Sequence, residues 1–145
     1  MANNESMRTS VNKRAEFAYN EVKRVVTDEH KEVKKNYKSY SKKLMAMIRI
    51  NGLALTFAFV FSKKSKERAY SLLYEGIEAW LNSPDCPVNM LYINATKNLK
   101  NEDEKLMKAI LSLDSNSYKV ITKEIMEFIN WLRRFAEGMI EDEKQ

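Results

Sequence analysis

A chain that reverses direction often needs residues that tolerate turn geometry, and this one has very few. Only Gly52, Gly76, Gly138, Pro84 and Pro87 punctuate its 145 residues. Sheet-rich folds turn frequently and spend more of both residues. Long uninterrupted segments rich in Met, Leu, Lys, Glu and Ala favour helix instead. The reading is therefore all-α: a compact bundle of about six helices in a single domain spanning 1–145. Apolar residues make up 44% of the chain, enough to fill a core and too many for intrinsic disorder.

The apolar spacing places the helices. Val11, Ala15, Ala18, Val22 and Val25 line one face of a first helix, capped near Thr9 or Ser10 behind a flexible lead at 1–8. A second helix runs from about Lys35 to Asn51, with Tyr37, Tyr40, Leu44, Met47 and Ile48 on its apolar face and Gly52 as its stop. Leu53 to Phe61 is apolar apart from Thr56 and reads as a short buried helix. Glu67 to Leu81 carries two apolar stripes. One is Ala69, Leu72, Leu73, Gly76 and Trp80; the other is Tyr70, Tyr74, Ile77 and Leu81. Such a helix is either central or half of an interface, and the second stripe is a candidate protein–protein surface. The loop at 82–87 holds both prolines. Val88 to Leu99 and Asp103 to Leu111 read as two shorter helices. Asp114 to Ser117 offers caps for a long last helix whose face is Tyr118, Ile121, Ile125, Ile129, Leu132, Ala136 and Met139. An acidic tail, 141–145, closes the chain.

Nothing here suggests catalysis. His30 is the only histidine and lies in a charged stretch; Cys86 is the only cysteine, with neither a disulfide partner nor a zinc spacing. Three glycines cannot build a GxGxxG or GxxxxGK[ST] loop, so no nucleotide cofactor is implied and no metal is expected. The lone cysteine, the absence of a signal peptide in MANNESMRTS and the lack of a long apolar run point to a cytoplasmic protein without membrane contact.

Charge is the positive signal. Residues 8–68 hold 16 Lys/Arg against 6 Asp/Glu, while residues 69–145 hold 9 against 13. No acid lies between Val33 and Glu67, yet that span contains Lys34, Lys35, Lys38, Lys42, Lys43, Arg49, Lys63, Lys64 and Lys66. Lys35, Lys38, Lys42 and Arg49 fall within about 60° on a helical wheel. Surface helices normally mix signs through i,i+4 pairs. A one-sign stripe is expected where a phosphate backbone supplies the countercharge. The candidate phosphate-contacting residues are Lys35, Lys38, Lys42, Lys43, Arg49, Lys63 and Lys66. Lys123 and Arg134, which share the polar face of the last helix with Lys119 and Asn130, extend the set. Arg133 lies nearer the core edge and is expected to pair with an acid. Lysines predominate and no aromatic ladder interleaves with them, so contact without sequence readout is expected.

Four segments together resemble the small-subunit family of the type III-B (Cmr) CRISPR effector complex: NKRAEFAYNEV, NYKSYSKKLMAMIRINGLALTFAFVFSK, YSLLYEGIEAWL and YKVITKEIMEFINWLRRFAEGMIE. The NGL turn after a basic helix and the WLRRFAEG ending are the most specific. Met45 is a departure, standing where many members carry proline. The resemblance implies a non-enzymatic helical bundle; a monomer is expected in isolation, since small partner contacts are typically transient. It also implies stacking of copies beside the duplex of guide RNA and target RNA, among the large and backbone subunits. Two other readings of the residues stay open: a small helix-turn-helix-like DNA-binding regulator, and a helical scaffold without nucleic acid.

Overall fold

A computed structural model describes residues 2–142, with side chains described from Arg8 onward. Among the described residues there are seven α-helices and no strand: α1 (Ala2–Asp28), α2 (Lys31–Asn51), α3 (Leu53–Lys63), α4 (Arg68–Asn82), α5 (Asn89–Thr96), α6 (Lys105–Ser112) and α7 (Ser115–Met139), with one 3-10 turn (Glu102–Glu104) before α6. The all-α bundle is as expected, with one helix more than the count of about six.

Two helix starts lie four or more residues from the sequence reading. α1 starts at Ala2 rather than near Thr9, so the helix already covers 2–8. The lead contains no proline or glycine, and caps at Thr9 and Ser10 are optional when the helix continues through them. α2 starts at Lys31, four residues early, because the chain turns at Glu29–His30 without either punctuating residue. His30 stands in an extended conformation (φ −74°, ψ 161°) between the helices. Of the expected acidic tail, residues 143–145 lie outside the described residues.

Gly52 separates α2 from α3. Its φ of +82° is one that L side chains rarely adopt, and its N–H still donates to the Ile48 carbonyl at 2.9 Å. α2 itself is unbroken through the buried Met45. At the start of α7, Asp114 accepts a hydrogen bond from the Ser117 N–H at 2.8 Å, the cap the sequence offered.

α4 is the central element, touching α1, α2, α3, α5 and α7. This settles the question of its two stripes. Tyr70, Tyr74, Ile77 and Leu81 are all buried within the chain, together with Ala69, Leu73, Gly76 and Trp80. The candidate interface stripe is therefore core, not surface. α3 supplies the reason: this mainly apolar helix lies against α4 and covers the face that a peripheral helix would have exposed. The Tyr74 ring meets Phe57 and Phe61 at 6.4 and 6.2 Å, and its hydroxyl accepts from the Met107 N–H at 3.1 Å. Trp80 stacks on Phe128 of α7 at 5.5 Å.

Candidate nucleic-acid interface

α2 and α7 run antiparallel, side by side. At one end the Lys38 ammonium reaches the segment after α7; at the other, the Ala54 N–H donates to the Tyr118 hydroxyl at 2.9 Å. The polar residues that flank this seam form the basic face, and it has three parts.

The first part is a groove of about 510 Å³ between the C-terminal half of α2 and the N-terminal half of α7. Met45, Met126 and Tyr118 give it apolar lining; Arg49, Lys119 and Lys123 bring three cations to it. All three cations are exposed, and among the described residues none has a carboxylate within ion-pair distance. Glu127 also lines the groove but bonds to Arg14 at 3.2 Å. The structure thus brings together Arg49 and Lys123, far apart in sequence, and adds Lys119 to them.

The second part follows the seam toward the C-terminal end of α7. Lys42 lies 3.5 Å from Glu137, which also sits 3.8 Å from Arg134. Lys38 donates to the Ile140 carbonyl at 3.0 Å and to the Asp142 carboxylate at 2.8 Å. Lys34 and Lys35 border the same end with Met139 and Glu141. This corrects the expectation of an uncompensated stripe. The acids absent from α2 are supplied across the seam by Glu137 and Asp142, so part of the countercharge is intramolecular. A count of charges along one helix cannot register acids on its neighbour.

The third part is separate. Lys43 and Lys63 lie over aromatic rings, at 5.3 Å from Tyr40 and 5.8 Å from Phe59. Tyr40 stacks on Tyr70 at 4.1 Å, and Phe59 meets Tyr70 edge-on at 5.5 Å. Both lysines thus belong to an aromatic corner where α2, α3 and α4 meet. Their cations are held by ring faces there, away from the α2–α7 groove. Lys66 is exposed in the turn before α4. The candidate RNA-contacting set therefore divides into seam and corner. The Arg133 expectation also needs correction: its guanidinium donates to the Asn130 side chain at 2.9 Å, and among the described residues no acid pairs with it.

Behind the face lies a buried ionic network that the sequence reading did not single out. Arg14 on α1 forks onto Glu124 of α7 through bonds of 2.6 and 2.7 Å, and Trp80 of α4 donates its indole N–H to the same carboxylate at 3.0 Å. The hydrogen bond to Glu124, working against burial, holds the Arg14 guanidinium above the usual arginine pKa. A signal for the pair existed: Arg14 stands three residues after Val11 and four before Ala18, and Glu124 three after Ile121. Each is a charge placed on its helix's apolar stripe.

Cys86 is buried, and burial pushes its thiol up to about 12. His30 is exposed at the α1–α2 turn. Among the described residues no group of three or more His, Cys, Asp or Glu could hold a metal ion, and no helix is long and apolar enough to cross a membrane. Compared with known families, residues 10–139 match the family model described as CRISPR-associated protein (Cas_Cmr5).

Proposed function

Because the chain belongs to the Cas_Cmr5 family of CRISPR-associated proteins, we propose that it is a non-catalytic small subunit of a type III-B RNA-guided effector. In this role it lies beside the guide RNA–target RNA duplex, among further copies of itself and the other subunits of the complex, and contributes to antiviral defence. The observation that supports duplex contact is the α2–α7 groove, where Arg49, Lys119 and Lys123 converge without a paired acid. A phosphate backbone carries the matching charge, and its counterions are released when lysines and arginines replace them. Lys119 and Lys123 act as point charges there, while Arg49 can fork onto a phosphate.

The reading assigns backbone contact without base readout. It disfavours a helix-turn-helix regulator. α3, the helix that follows the Gly52 turn, contains no Arg, Asn or Gln with which to read base edges.

The test is charge reversal in the groove. Arg49→Glu with Lys123→Glu should weaken binding to a short mixed-sequence RNA duplex. The log–log salt slope should fall by about 0.7–0.9 for each lost contact. Helicity should be unchanged, since both side chains are exposed. Equal affinity and slope in a folded double variant would remove the groove from the interface.

A further inference from the structure

The segment that follows α7 places a carboxylate on the basic face. Ile140 is buried and anchors the segment to the core edge, while Glu141 and Asp142 beyond it are exposed. The Lys38 ammonium is bonded to the Ile140 carbonyl at 3.0 Å and to the Asp142 carboxylate at 2.8 Å. Exposure of the two partners is lopsided: the Lys38 side chain is 14% accessible and that of Asp142 is 88%. Bonding to Lys38 and its charge hold the Asp142 carboxyl below the usual aspartate range. A depression of about 620 Å³ reaches Asp142, lined also by Lys31, Lys34 and Lys35 of α2 and by Glu141 beyond α7.

We infer that Asp142 is an internal stand-in for a nucleic-acid phosphate: it holds Lys38 in the free protein and is displaced when the basic face receives RNA. The inference rests on the phosphate-binding reading above and adds a regulation to it. Lys38 becomes a conditional contact, unlike Arg49 and Lys123, which carry no such partner. The geometry suits exchange. An ion pair with one well-exposed member is weak and is screened by salt. Ile140 keeps the backbone of the segment in place, so a swing of residues 141–142 suffices and the core need not open. A phosphodiester offers two non-bridging oxygens and one negative charge, and can replace the carboxylate on the ammonium without a change in net charge at the site.

Asp142→Asn keeps the side chain's shape and removes its charge. Binding of a short mixed-sequence RNA duplex, followed by fluorescence anisotropy at fixed salt, should tighten by about two- to five-fold, the range of a weak ion pair. In a Lys38→Gln background the same substitution should leave affinity unchanged, because the competed cation is gone. Acylation of Lys38 in the free protein should also be faster in Asp142→Asn. Binding that is equal in parent and Asp142→Asn would overturn the inference while leaving the groove reading standing. A gain of equal size in the Lys38→Gln background would overturn it too, since the effect would then be one of net charge. If neither parent nor variant binds the duplex, the groove reading fails and takes this inference with it.

Discussion

Replacing Arg14 by Met should be among the most damaging single changes in the chain. The side chains of Arg14 and Glu124 are 7% and 6% exposed, joined by two charge-assisted bonds of 2.6 and 2.7 Å. Removing the guanidinium leaves the Glu124 carboxylate buried, with only the Trp80 indole at 3.0 Å to satisfy it. Glu127, the third partner, is half-exposed and can return to water. Stranding one member of a buried pair costs about 3–5 kcal/mol. Typical domain stabilities are about 5–15 kcal/mol, so much of the total is at stake. Arg14→Met combined with Glu124→Leu removes both charges and strands only the Trp80 N–H, costing about 1–3 kcal/mol. Urea unfolding followed by tryptophan fluorescence measures both, with Trp80 on Phe128 as reporter. Glu102→Gln, which breaks the surface pair with Lys105, serves as the control and should cost less than about 1 kcal/mol. The pKa of Arg14 is raised in the fold, so its contribution is complete below the ordinary arginine value and is lost only as pH rises through the folded one. Neutral-pH assays therefore capture all of it. A loss for Arg14→Met no larger than the control, or a double variant as unstable as the single, would refute the network's role.

Tyr74→Lys should unfold the protein, since a buried unpaired charge costs several kcal/mol; a folded variant by circular dichroism would return that stripe to the surface. Cys86 should react with a thiol dye far more slowly in the native protein than in urea, because burial both shields it and raises its pKa; equal rates would contradict its burial. Arg133→Ala should lower the melting temperature without affecting RNA binding, through loss of the bond to Asn130, and Arg134→Ala should do the reverse. The opposite pattern would exchange their roles.

The helices were legible because their apolar periods are long and the punctuation is sparse. Gly52, the Pro84–Pro87 loop and the Asp114 cap each appear where residue chemistry requires them. The α1–α2 turn at His30 was not legible: no residue there forces a break, and packing decides it. The α4 stripes were visible, yet their meaning depended on whether α3 lies against them, which no local pattern reports. The cationic face was legible in the same partial way. Arg49 and Lys123 were both named from charge and helical phase. Their convergence, and the acids Glu137 and Asp142 that restrain Lys42 and Lys38, follow from the antiparallel pairing of α2 with α7. Arg14 and Glu124 were not legible as a pair, because a charge on an apolar stripe gains its meaning only from a partner 110 residues away.

One face, the α2–α7 seam, is proposed to receive the RNA duplex. Lysine acylation footprinting of the protein, with and without a guide–target RNA duplex, tests it most directly. Lys42, Lys119 and Lys123 should be protected by the duplex, while Lys97, Lys100 and Lys108 on the α5–α6 stretch should react as before. Protection spread evenly over both groups, or confined to the second, would contradict the account.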